Sequence, residues 1–336
     1  GTAGRIDGGA GCRIDDGIGY QLDVGDTDGN DGRRDGMKLP GRAWIREVGP
    51  RDGLQNEPEP LGTEDKIAWI DRLSSTGLGY IETTSFVSPR WIPALADAAE
   101  VARGIRRRHG VVYAALVPNA RGLERALAAG IDEVSVFLSA SETHNRSNIN
   151  KSIAETLPVV AEVSEAARSA GRTVRGYVST AFGCPYEGKV KLDDVVRVTD
   201  FLLENGASEV SLGDTIGVAN PRQVEEALEK LLARYPADRL ALHFHDTRGM
   251  ALANIAGALR MGIARFDAST GGLGGCPYAP GASGNVATED VVHMLSEMGI
   301  ETGVSLPELI DAAGFVQSKL GKRLPSRGLQ ARGRRP

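Results

Sequence analysis

Short runs of β-branched and apolar residues alternate along this chain with longer stretches whose apolar positions recur at three- and four-residue spacing. The first pattern buries a strand, and the second lays one face of a helix on a core. Strands are expected at Ala43–Val48, Tyr80–Phe86, Val111–Val117, Glu133–Leu138, Thr173–Thr180, Glu209–Gly213, Leu240–His245 and Arg265–Ala268. A helix is expected after each, at Glu64–Ser75, Pro93–Arg107, Arg121–Ala129, Ile153–Ala170, Leu192–Asn205, Pro221–Tyr235, Met250–Met261 and Thr288–Met298. Gly77, Gly130, Gly171, Gly206, Gly262 and Gly299 stand where helices should stop. Thr63 is placed to cap the first helix and Asn220, ahead of Pro221, the sixth. Eight successive strand–helix units predict an α/β fold, the (β/α)8 TIM barrel. A doubly wound open sheet is the alternative, but no G-x-G-x-x-G follows a strand, which weakens a dinucleotide-binding reading.

Composition narrows the classes. With 336 residues, 41% of them hydrophobic, the chain can build a sizeable core, which excludes a disordered protein and a disulfide-stapled mini-domain. A net charge of −5 argues against a nucleic-acid partner. No apolar run reaches the length of a membrane span, so no membrane partner is expected. Three cysteines fit a reducing compartment, and a cytoplasmic location is expected. The ends differ from the middle. Residues 1–36 hold 11 Gly and 8 Asp without Lys, Glu or periodicity; they are too acidic for a transit peptide and read as a disordered extension. Residues 37–318 form the expected barrel domain. Residues 319–336 carry seven Lys and Arg and no acid, and read as a solvated basic tail.

Barrel chemistry lies at the C-terminal ends of the strands, and polar residues collect there. The first strand ends in Glu47-Val-Gly-Pro-Arg51-Asp52-Gly, the second carries Glu82-Thr-Thr-Ser85, and the fifth holds Arg175 and Tyr177. The sixth reads Ser211-Leu-Gly-Asp214, the seventh His243-Phe-His245, and a glycine-rich loop from Gly271 to Asn285 follows the eighth. Residues two apart on a strand face one way, so His243 and His245 share a side. Two histidines satisfied by neighbouring carboxylates would give the same pattern. Asp52 and Asn285 favour a metal, because the first and last strands of a closed barrel adjoin near the seventh. Two nitrogens and two oxygens without thiolate suit Mg²⁺ or Mn²⁺, although nitrogen ligands suit Zn²⁺ as well. Cys276 sits in the glycine-rich loop, too polar a place for core packing, and reads as a lid cysteine acting as proton carrier or nucleophile. Cys184 reads as structural. Arg51 alone suits a surface ion pair, and Glu82 and Asp214 a buried carboxylate network; their position beside the metal group gives them functional roles instead.

The strings EVGPRDGLQNE, IETTSFVSP, RGYVS, GCPYEGK, SLGDTIG, HFHDT and GGLGGCPYAPGASGNVATEDVV resemble the hydroxymethylglutaryl-CoA lyase family from about Ile45 to about Phe315. The wider group of metal-dependent barrels with an R-D first-strand motif and H-x-H includes isopropylmalate and homocitrate synthases. Those usually lack the glycine-rich lid, and many carry a further C-terminal domain. The resemblance implies cleavage of 3-hydroxy-3-methylglutaryl-CoA to acetyl-CoA and acetoacetate, with an acyl-CoA as the partner molecule. It implies a metal on Asp52, His243, His245 and Asn285, with His243 or Asp52 as base. Arg51 would stabilise the enolate and Cys276 would protonate it. Glu82 and Asp214 would orient Arg51, the histidines or water. Tyr177 and Ser211 would position substrate, and Asn148 and Ser152 would contact CoA. Arg248, Met250, Pro58 and Ser147 depart from the family pattern, which leaves a related 3-hydroxy-3-alkylglutaryl-CoA or other hydroxyacyl-CoA as an alternative substrate. A Claisen-type acyl-CoA transferase is a further alternative. The chain length suits a homodimer.

Overall fold

Eight parallel strands close on themselves in sequence order: β1 (Trp44–Glu47), β2 (Tyr80–Ser85), β3 (Val112–Leu116), β4 (Glu133–Ser139), β5 (Thr173–Ser179), β6 (Glu209–Asp214), β7 (Leu240–Phe244) and β8 (Arg265–Ala268), with β8 back on β1. This is the expected (β/α)8 barrel, seen here in a computed structural model that describes residues 39–275 and 284–332. The N-terminal extension, residues 1–36, lies outside the described residues. The strands are buried on both faces, as parallel barrel strands must be, and this explains their near-continuous apolar runs. Among the described residues no helix is long and apolar enough to cross a membrane.

The helices are α1 (Thr63–Leu73), α2 (Ala98–Gly104), α3 (Ala120–Ala128), α4 (Glu142–Ile149), α5 (Ile153–Ser169), α6 (Leu192–Glu204), α7 (Pro221–Leu232), α8 (Ala251–Arg260), α9 (Thr288–Glu297), α10 (Leu306–Leu320) and α11 (Arg327–Arg332). Asn220 caps α7 as expected, its side chain accepting from the Gln223 N–H at 3.1 Å. Thr63 does not cap α1; Gly62 takes that position, and the Thr63 hydroxyl donates to Asp97 at 2.7 Å. The helix expected over 93–107 is a 3₁₀ turn at Pro93–Leu95 followed by the shorter α2. Beyond Gly104 the chain turns extended at Ile105, and the Arg106 N–H is taken by Asp71 at 2.7 Å. Gly77 closes the turn after α1 at φ +92°, and a Cβ there would lie 2.1 Å from the Gly303 carbonyl, so only glycine fits.

The solvated basic tail is corrected. Gly321 ends α10 in the left-handed region, and the chain folds back. Leu324 is 1% exposed within the main core, and Asp290 accepts from the Arg327 and Gly328 amides at the start of α11. Leu320, Leu324 and Leu329, scattered among seven cations, carry too little periodicity to show this in the sequence.

Two features at the β8–β1 seam position the site. Glu47 is fully buried and accepts from the Gly49 and Thr270 amides and from the Thr270 and Thr288 hydroxyls at 2.6–2.9 Å. It thereby ties the loop after β1 to the loop after β8. The chain after β1 then winds as a π-helical turn, Gly49–Gly53, with the Leu54 N–H donating to the Gly49 carbonyl at 3.1 Å.

Candidate active site

The π turn brings Arg51 and Asp52, adjacent in sequence, to the barrel mouth together. Arg51 is 6% exposed, and its Nε donates to Glu82 Oε2 at 2.6 Å while its Nη1 pairs with Asp52. Its Nη2 makes no hydrogen bond among the described residues. Tyr177 packs its ring 5.3 Å from the guanidinium and donates its hydroxyl to the same Glu82 oxygen at 3.1 Å. Burial opposes the charge on Arg51, but Glu82 and then Asp52 outweigh it and fix the guanidinium as a cation. Burial also lifts the Tyr177 pKa well above its usual value, so the phenol stays neutral.

Asp52, His243 and His245 form a group whose potential ligand atoms all lie within 4.8 Å of one another. Burial would raise the Asp52 pKa, yet Arg51 and the two histidines hold it at about 2. Its Oδ2 accepts from Asn285 Nδ2 at 2.7 Å and lies 4.0 Å from His243 Nε2; its Oδ1 accepts from Gln55 at 2.8 Å. The histidine rings are 5.2 Å apart, as the H-x-H spacing on one strand face requires. His245 also pairs antiparallel with Asn285, so the returning loop meets the end of β7 as expected. The Nδ1 of His245 is buried with no hydrogen-bond partner, which burial normally forbids. Burial and the neighbouring His243 push the His245 pKa down to about 4, so that ring is neutral and has a lone pair to offer. A divalent cation fits this donor set: one anionic oxygen and two imidazoles, of which His245 brings a neutral ring with an unsatisfied nitrogen.

The carboxylate that orients His243 is Asp267, which the sequence reading missed. Burial lowers the His243 pKa, but the bond to Asp267 and the charge of Asp52 raise it overall. Asp267 Oδ2 meets His243 Nδ1 at 3.3 Å and accepts from Ser211 at 2.8 Å, and its Oδ1 accepts from Arg175 Nη2 at 2.6 Å. Arg175 in turn bonds Glu209 at 2.8 Å, which also pairs with Arg46 and Arg265. Strand register places Asp267 directly beside His243, a relation that a one-strand reading does not contain. Ser211 therefore acts on Asp267. Asp214, expected to orient Arg51, the histidines or water, instead accepts from the Val218 and Ala219 amides at 2.9 and 3.1 Å. It organises the turn after β6, with its pKa raised by burial to about 6. Glu82 does orient Arg51, and its Oε1 is buried without a partner.

The remaining candidates lie apart from this group. Asn148 is exposed on α4, a polar helix between β4 and α5. Ser152 caps α5: its hydroxyl accepts from the Glu155 N–H at 3.1 Å and its backbone N–H donates to the Glu155 carboxylate at 2.8 Å, forming a capping box. Cys184 is buried with its sulfur 3.0 Å from the Ser141 hydroxyl, in keeping with a structural role. Cys276 lies outside the described residues, as does most of the glycine-rich loop. Of the positions that depart from the family pattern, Arg248 donates to the Ile216 and Gly217 carbonyls and pins the loop after β6. Met250, Pro58 and Ser147 are exposed.

Known proteins give this arrangement a context. The family model described as HMGL-like matches residues 42–316. Hydroxymethylglutaryl-CoA lyase from Bacillus subtilis is 63% identical over 88% of this chain and 98% of its own. The 3-hydroxy-3-isohexenylglutaryl-CoA/hydroxymethylglutaryl-CoA lyase of Pseudomonas aeruginosa is 51% identical over 88% of this chain and 98% of its own. The crystal structure of the B. subtilis enzyme superposes with a TM-score of 0.88, at 62% identity over 88% of this chain and 100% of that one. With the match spanning the entire barrel and the metal group at its mouth, the chain belongs to the HMGL-like family, among the hydroxymethylglutaryl-CoA lyases.

Proposed function

We propose that this protein is a divalent-metal-dependent carbon–carbon lyase that cleaves 3-hydroxy-3-methylglutaryl-CoA to acetyl-CoA and acetoacetate. The observation that carries the reading is the pairing of two units: the Asp52, His243 and His245 group, and a buried Arg51 guanidinium beside it. Mg²⁺ or Mn²⁺ held by these three residues, with Asn285 as the expected fourth ligand, would acidify the substrate's C3 hydroxyl and polarise the ketone that forms from it.

The protein's own groups account for the rest. The hydroxyl proton passes to Asp52 or His243, the two bases at this place. The C2–C3 bond breaks, leaving acetoacetate, and its electron pair becomes the enolate of the acetyl thioester. Glu82 and Asp52 occupy Nε and Nη1 of Arg51, so Nη2 is left to face the enolate oxygen. Tyr177 shields the guanidinium from water on one side. Cys276 delivers the proton that completes acetyl-CoA.

Purified protein with Mg²⁺ or Mn²⁺ should release acetoacetate from 3-hydroxy-3-methylglutaryl-CoA, and a strong chelator should abolish it. Full activity in the chelator, or none with either metal, overturns the proposal. The Pseudomonas relative, whose name couples two substrates, favours a second reading in which the 3-alkyl group is larger. The isohexenyl thioester in the same assay decides it: a higher kcat/KM than for the methyl substrate makes that the natural substrate.

A further inference from the structure

A column of paired charges runs through the barrel interior and begins at the end away from the mouth. Glu209 opens β6 and Arg265 opens β8, at the N-terminal face, where a TIM barrel keeps residues for stability rather than chemistry. Glu209 accepts from Arg46 at 2.9 and 3.2 Å and from Arg175 at 2.8 Å, and it pairs with Arg265 at 3.0 Å. Burial opposes its charge, but Arg175 and Arg46 outweigh burial and keep the carboxylate ionised. Glu133, at the start of β4, accepts from the Thr173 hydroxyl at 2.9 Å and forms no ion pair among the described residues. One carboxylate therefore holds three guanidinium groups at this end.

The buried member of the three carries the column inward. The Arg175 guanidinium packs 5.6 Å from the Tyr80 ring centre and 4.8 Å from that of Tyr177. Its Nε is on Glu209, while Nη1 and Nη2 turn to Asp267 at 3.3 and 2.6 Å. A guanidinium is a rigid plane, so fixing one edge on Glu209 aims the other at Asp267. Asp267 in turn meets His243 Nδ1 at 3.3 Å. We infer that Glu209 is a positioning residue for the metal site: acting through Arg175 and Asp267, it sets His243 from the opposite end of the barrel. Without the Glu209 charge, Arg175 keeps Asp267 as its one carboxylate partner, with Arg46 and Arg265 left unmatched beside it. In a low-dielectric interior that surplus draws Asp267 toward the guanidinium side and loosens its already long bond to His243. The inference rests on the metal site read above and adds a residue that lies outside it.

Calorimetric titration of Mn²⁺ into metal-free protein tests it. Glu209→Gln should bind Mn²⁺ about tenfold more weakly than wild type, the low end of the cost of disturbing a carboxylate behind a ligating histidine. Glu209→Asp keeps the charge but retracts the carboxylate by one methylene, so a smaller loss in the same direction is expected. Glu209→Gln/Arg46→Met removes a surplus cation as well and should recover part of the affinity, which a mere loss of packing would not. Saturating Mn²⁺ should restore most of kcat in these variants, because no group at the reacting atoms is lost. Wild-type affinity in a folded Glu209→Gln protein overturns the inference, including where its melting temperature falls. Wild-type affinity in Glu209→Asp overturns it whether or not Glu209→Gln folds. Wild-type protein that binds no Mn²⁺ defeats the metal reading and this inference together, whereas Mn²⁺ binding without lyase activity defeats the lyase reading alone and leaves the variant titrations decisive.

Discussion

Asp267 is placed to touch no reacting group, yet His243, Ser211 and Arg175 all depend on its carboxylate. With His243 Nδ1 turned to Asp267, Nε2 is the nitrogen left to face Asp52. Asp267→Asn removes the charge and one acceptor while keeping the shape. Metal affinity should fall about 10–100-fold, the usual cost of losing a carboxylate behind a ligating histidine. Stability should fall as well, because Arg175 is 1% exposed and loses one of its two carboxylate partners. Calorimetric metal titration of the folded variant checks this, and an unchanged affinity would remove Asp267 from the positioning role. Arg51 makes the complementary case. Its benefit belongs to the charge that develops at the enolate, so Arg51→Gln should lower kcat about 10²–10³-fold. KM should change little. Steady-state kinetics that show only a raised KM would make Arg51 a binding residue.

At the scale of elements, α9 anchors the root of the glycine-rich loop. Glu289, fully buried in the first turn of α9, accepts from the Gly271 N–H at 3.0 Å. Burial raises its pKa from the ordinary 4.5 to about 7. An acid whose pKa is raised on folding contributes fully below 4.5, and that contribution is lost as pH rises to about 7. The loss is at most about 3–4 kcal/mol, at ~1.4 kcal/mol per unit. Melting temperature of the metal-free protein should therefore fall between those pH values, and Glu289→Gln should flatten the fall. An identical pH profile in the variant would place the dependence elsewhere. The same elements show what a sequence reveals. The eight strands were legible because strands buried on both faces need continuous apolar runs, and the metal group because H-x-H repeats at strand spacing. Asp267 was not legible: it lies one strand from His243, and only register across the sheet joins them. Asp214 looks like any acid at a strand end, and only the turn that follows shows its carboxylate taken up by two amides. The polar α4 has no apolar stripe to betray it.

The whole barrel must close at the β8–β1 seam, and the chain beyond α10 reinforces that closure from outside. Lys322 pairs with Glu57 in the loop after β1 at 2.6 Å. The Ser326 N–H donates to the Gly271 carbonyl at 3.2 Å, and Leu324 packs on Gly271 so closely that a Cβ there would lie 2.4 Å from it. One short segment thus holds both loops that frame the mouth, the loop carrying Arg51 and the root of the glycine-rich loop. None of its described contacts is with Asp52, His243 or His245. Removing residues 321–336 should therefore separate stability and turnover from metal binding. The lost burial of Leu324 is worth about 1.5–3 kcal/mol, and at a few degrees per kcal/mol Tm should fall on the order of 5–10 °C. kcat/KM should drop because the loop root loses its support, while metal affinity by calorimetry stays at the full-length value. A truncated protein that melts with the intact one would show the segment to be the solvated tail its composition suggests.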